Sequence, residues 1–90
     1  MSGPCSGLIV LDLSSGMAGT LATTVLADYG AEVIKIEPPK GDPLRSHPGW
    51  LAWNRGKKSI VLDLENSDDH RFLEALARKS DVVLESFRPM

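Results

Sequence analysis

The sequence is poor in the residues that announce most chemistry. One cysteine, Cys5, excludes an internal disulfide and fits a reducing compartment. The two histidines, His47 and His70, have no second His or Cys at ligand spacing, so no metal is expected. His70 falls in a polar helical stretch and is expected to be exposed. Ser14, Ser15 and Ser59 stand in no G-x-S-x-G elbow, and Asp12, Asp28, Asp42 and Asp63 show no pairing in their spacing. No window approaches the length of a membrane span. The start, "MSGPCSGLIVLDLSS", lacks a basic leader, and its apolar run is broken by Asp12. A net charge of −2 argues against nucleic acid as a partner. A soluble intracellular protein, in the cytoplasm or an organelle matrix, is expected.

What is present is the composition of an ordinary folded domain, 42% hydrophobic and 24% charged. Ninety residues allow one domain, residues 1–90. "GLIVLDL" (residues 7–13) is a short apolar run suited to a strand covered on both faces. "TLATTVLADYG" follows, with Leu21, Val25 and Leu26 at helical spacing and Gly30 placed as a C′ stop. "AEVIKIE" reads as a second strand, in which Lys35 is expected at an edge or snorkelling. "SIVLDL" predicts a third strand and "DVVLES" a fourth. Between them "NSDDHRFLEALARKS" predicts a helix capped by Asn66 or Ser67, with Phe72, Leu73 and Leu76 as its buried stripe. Asp68 and Asp69 in its first turn and Arg78 and Lys79 in its last complement the macrodipole. The pattern is β-α-β, long loop, β-α-β. It predicts an α/β fold, half of a Rossmann-like doubly wound parallel sheet, whose ligands sit past the carboxyl ends of the strands.

Charge is unevenly spread. Between residues 40 and 58, Lys40, Arg45, Arg55, Lys57 and Lys58 oppose Asp42 alone, a local +4 against −6 elsewhere. This stretch overlaps the long loop of residues 38–53, punctuated by Pro38, Pro39, Gly41, Pro43, Pro48 and Gly49. A compact anion at the sheet edge is one reading of the charge, and a solvated strand start is the other. A nuclear-localisation patch fits poorly with charges fused to a buried strand. The turn "SSGMAG" is not G-x-G-x-x-G, which disfavours a dinucleotide. Its small residues let a ligand approach a helix N-terminus, or simply permit a tight turn. Trp50 and Trp53 are expected to pack beneath the loop rather than stack on an adenine.

Three segments carry a resemblance: "LADYGAEVIKIEPPKGDPLR" (residues 26–45), "WNRGKKSIVLDL" (residues 53–64) and "DVVLESFRPM" (residues 81–90). In order and spacing they resemble the amino-terminal region of family III CoA-transferases, the group containing formyl-CoA transferase, carnitine CoA-transferase and α-methylacyl-CoA racemase. The resemblance implies a Rossmann-like half that holds coenzyme A as acyl carrier, in a longer enzyme whose subunits interlock as a homodimer. It implies CoA contacts at Met17 and Ala18, at Leu62, Asp63, Leu64 and Glu65, and at Ser86, Phe87 and Arg88. Arg45, closing the G-D-P-x-R loop, is expected to neutralise a CoA phosphate, with Lys57 and Lys58 as weaker candidates.

Departures from the family pattern are Pro38, where some relatives carry arginine, and "ESFRPM", where Ser86 and Met90 replace Asn and Gly. The family's catalytic aspartate matches none of the aspartates here, so the chain is read as an amino-terminal fragment with no catalytic residue and no turnover alone. In transferases that aspartate takes the acyl group as a mixed anhydride, which CoA attacks to give an enzyme-bound thioester. The racemase branch, a non-enzymatic module docking on a full-length homologue, and a half-domain for another nucleotide are the alternatives. Apolar surface left uncovered predicts association or aggregation.

Overall fold

Strand β1 (Ile9–Leu13) owes its central place to its side chains: Val10, Leu11 and Asp12 are all buried, on alternate faces. The structure, a computed structural model, describes residues 3–14 and 17–85. After β1 come α1 (Met17–Asp28), β2 (Glu32–Glu37), a 3-10 turn (Pro43–Ser46), the one-turn α2 (Trp50–Trp53), β3 (Lys57–Val61), α3 (Ser67–Lys79) and β4 (Val82–Glu85). The strands form one four-stranded sheet in the order β3-β2-β1-β4, with every pair parallel. This is the Rossmann-like half expected from the alternation of strands and helices.

Local chemistry ends and starts the helices as the sequence predicts. Gly30 adopts φ +103, its N–H donates to the Ala27 carbonyl, and the Ala31 N–H reaches back to Leu26. That is a Schellman stop, which needs a left-handed residue at C′. At α3 the Asn66 side chain accepts from the Asp68 and Asp69 amides, so Asn66, not Ser67, is the cap.

The two long helices, α1 and α3, lie on opposite faces of the sheet. Leu73, Leu76 and Ala77 of α3 pack against Leu11, Ile36 and Leu62, with Leu13, Ile34 and Ile60 around them. On the other face Leu26 and Ala27 of α1 cover Val10, Ala31 and Val33. Toward the carboxyl ends of β1 and β2 that second face turns polar, because Asp12, Ser14, Lys35 and Glu37 all have the parity that points them there, and Lys57 at the start of β3 shares that face.

Several expectations are corrected. Lys35 lies at no edge: β2 is flanked by β1 and β3, and the residue is 1% exposed. The apolar stripe of α1 is inverted, with Thr20, Thr23 and Thr24 buried while Leu21 and Val25 are exposed. The threonines face inward because the sheet beneath them is charged. Phe72 is 50% exposed, leaving the α3 contact to Leu73, Leu76 and Ala77. Strand β3 begins two residues before "SIVLDL", so Lys57 and Lys58 lie within it, and it ends before Leu62.

Candidate functional site

The carboxyl ends of β1, β2 and β3 open onto a cleft of about 680 Å³. Its apolar lining comes from Leu13, Ile36, Leu62 and Leu64, and its rims are residues 38–42 and 62–65. Parallel strands create such a space because their following loops leave from the same edge. The strand order reverses between β1 and β4, and the described cleft lies beside that switch point, on the β1–β2–β3 side.

The 38–42 rim is held by a network rooted in β2. Glu37 is buried, and its carboxylate takes a fork from Arg45, Nε to Oε1 at 2.6 Å and Nη2 to Oε2 at 2.7 Å. The same carboxylate accepts from the Asp42 amide and the Ser59 hydroxyl. The Arg45 hydrogen bonds, with those from Ser59 and Asp42, outweigh burial and bring the Glu37 carboxyl down to about 2. Glu37 in turn holds the Arg45 guanidinium above its ordinary value. Lys35 Nζ meets Asp42 Oδ2 at 2.9 Å, so both ends of the rim are tied to one strand.

Trp50 lies against this cluster, its ring centre 4.9 Å from the Arg45 guanidinium and 5.6 Å from Lys35 Nζ. The Trp53 ring meets His47 at a tilt of 39°, with ring centres 4.5 Å apart, and its carbonyl accepts from the Thr24 hydroxyl. Both tryptophans thus make contacts within the protein.

A second network lies between the sheet and α1. Asp12 is fully buried and accepts from the Ser14 amide and hydroxyl and from the Thr23 hydroxyl. Burial pushes its carboxyl up, but those hydrogen bonds and the nearby Lys35 charge bring it below the usual range. Lys57 points into the same space, with Nζ 3.4 Å from Asp12 Oδ2, 3.0 Å from the Thr20 carbonyl and 3.1 Å from Asn54 Oδ1. Burial lowers its ammonium pKa, and the Asp12 charge opposes that shift.

The expected site residues are thus spread unevenly. Leu62, Asp63, Leu64 and Glu65 line the cleft together. Met17 and Ala18 are exposed at the first turn of α1, on the same sheet edge but outside the cleft lining. Arg45 stands beside the rim, its side chain half-exposed and its Nη1 outside the Glu37 fork. Lys57 and Lys58 begin β3, at the opposite end of that strand from the cleft; Lys58 pairs with Glu32 at 2.5 Å. Ser86, Phe87 and Arg88 lie outside the described residues. No group of three or more metal-ligating side chains occurs among the described residues. No described helix is long and apolar enough to cross a membrane.

Residues 38–42 entered the sequence reading only as part of the long basic loop at the sheet edge, not as individual site residues. The signal was available: "PPKGD" directly after a strand that ends in a glutamate.

A parallel sheet with a cleft past its carboxyl ends is the arrangement of a Rossmann-like half. The chain belongs to CoA-transferase family III, whose pattern matches residues 5–90. It is 43% identical over 96 residues to the acetyl-CoA:oxalate CoA-transferase of Acetobacter aceti, covering 97% of this chain and 25% of that protein. The probable fatty acyl-CoA transferase Rv3272 of Mycobacterium tuberculosis is 44% identical over 97 residues, covering 96% of this chain and 25% of the relative. Its orthorhombic crystal structure superposes with a TM-score of 0.92 at 46% identity, over 98% of this chain and 25% of that one. A CAIB/BAIF family protein from Brucella suis superposes with a TM-score of 0.88 at 33% identity, over 97% of this chain and 26% of that one. The chain therefore spans about a quarter of the length of the relatives it matches.

Proposed function

We propose that this chain is the coenzyme A-holding portion of an enzyme that moves CoA between carboxylic acids. The observation that carries the reading is the cleft past the carboxyl ends of β1, β2 and β3, in a chain that belongs to CoA-transferase family III. Relatives named for acetyl-CoA:oxalate and succinyl-CoA–L-malate transfer support the reaction class.

In this proposal CoA lies along the sheet edge. The apolar floor of Leu13, Ile36 and Leu62 shields part of the carrier from water, and residues 62–65 offer backbone and carboxylate partners to its neutral amides. Met17 and Ala18 at the start of α1 extend the same edge, and Ser86, Phe87 and Arg88 are kept as further contacts on the family resemblance. Arg45 is retained at the rim, with Nη1 as its available donor. Lys57 and Lys58 are not carried forward, because one is buried against Asp12 and the other begins β3 far from the cleft. The acyl-accepting aspartate belongs to a part of the enzyme beyond residues 1–90, so these residues alone turn over no substrate. Interlocked pairing of two longer subunits in a cytoplasmic enzyme completes the reading.

Isothermal titration of the purified protein with CoA and with ADP tests it. The expected result is saturable CoA binding with ADP clearly weaker. ADP competing as well as CoA would favour a simple nucleotide half-domain, and no CoA binding would end the proposal.

A further inference from the structure

The cations of the basic segment are not equally available. Arg45 is forked on Glu37, Arg55 pairs with Asp28 at 2.6 Å, Lys57 with Asp12 and Lys58 with Glu32. Even the lysine outside that segment in β2, Lys35, is bound to Asp42. Of the Lys and Arg side chains in residues 40–58, only that of Lys40 has no hydrogen-bond or ion-pair partner among the described residues, and it is exposed on the cleft wall.

Its position is built. The Gly41 N–H donates to the Pro38 carbonyl at 2.8 Å, closing a four-residue turn with Pro39 and Lys40 at its tip. Pro39 fixes the second turn position, and Gly41 leaves the turn at φ +83, where a side chain would be strained. Beyond it, the Asp42 amide is held by Glu37 and the Asp42 carboxylate by Lys35. A lysine on a floppy loop loses entropy on binding an anion, whereas the backbone beneath Lys40 is already fixed.

The facing wall has the opposite sign. Asp63 and Glu65 are exposed on residues 62–65, and the Asp63 carboxylate accepts the Glu65 amide. These carboxylates repel a phosphate from their side of the cleft and accept hydrogen bonds from neutral N–H and O–H groups.

We propose that Lys40 is the anion contact of this cleft and fixes the orientation of its ligand, phosphorylated end against residues 38–42 and neutral end toward residues 62–65. The inference rests on the coenzyme reading above and adds to it a specificity-determining residue and a direction.

The test is titration of the wild-type protein, Lys40→Gln and Lys40→Arg with CoA and with pantetheine, which lacks the phosphate-bearing nucleotide. Loss of one charge-assisted contact is expected to weaken CoA binding by Lys40→Gln about tenfold, with pantetheine unaffected and Lys40→Arg close to wild type. Lys40→Gln binding CoA as tightly as wild type overturns the assignment. So does an equal loss for CoA and pantetheine, since that would mark a general disturbance of the cleft. A wild-type protein that binds neither ligand defeats the coenzyme reading itself, a failure separate from the other two.

Discussion

The two faces of the sheet are built on different physics. On the α3 face Leu11, Ile36 and Leu62 meet Leu73 and Leu76 in a purely apolar contact. On the α1 face a small apolar cluster around Val10 and Val33 gives way to Asp12, Lys35, Glu37 and Lys57, each buried and each partnered. The apolar face stabilises without direction, through area removed from water. The charged face tolerates burial only because every charge has a partner in reach, so it also fixes positions. Those fixed positions include the turn that carries Lys40.

Removing Lys57 should show the largest effect. Lys57→Met leaves Asp12 buried with only hydroxyl and amide donors and the more distant Lys35, and should cost about 3 kcal/mol in urea-melt stability. A cost under about 0.5 kcal/mol would mean that the pair is not buried in solution. Leu11→Ala, on the opposite face, should cost about 2 kcal/mol in the same measurement. It sits toward the lower part of the usual range because α3 covers the face loosely, none of its residues being fully buried. A larger loss than that of Lys57→Met would reverse the ranking of the two faces.

The acid limb of stability sharpens the comparison further. Glu37 has a carboxyl pKa of about 2 in the folded chain against an ordinary 4.5, chiefly through Arg45. The unfolded chain therefore binds the proton more readily, and the stabilisation from Glu37 is complete above pH 4.5 and lost as pH falls toward 2. Asp12 is shifted the same way, so Glu37→Gln should flatten the acid dependence without abolishing it. Chemical denaturation between neutral and acid pH checks this; an unchanged slope in Glu37→Gln would remove Glu37 from the pH response.

Much of the architecture was legible in the residues. The run "GLIVLDL", the capping asparagine before α3 and the glycine after α1 each act over a few neighbours, so sequence spacing carries their information. The cleft-lining segment of residues 62–65 was also legible, through the family resemblance. The inward threonines of α1 were not, because apolar spacing predicts a buried stripe wherever the sheet beneath is apolar, and here it is charged. Lys35 was misplaced for a related reason: its partner Asp42 lies beyond a loop, and only the fold brings them to 2.9 Å.

By itself the sequence determined the alternation of strands and helices, the caps that end them and the excess of positive charge in one segment, because each of these is local. Tertiary structure decided which of those charges remain for a ligand. Strand register puts Lys57 opposite Val33 and Asp12 opposite Lys35, so the long lysine side chain reaches Asp12 across the sheet. Two charges cancel only when brought within a few ångströms, and no spacing along the chain encodes that distance.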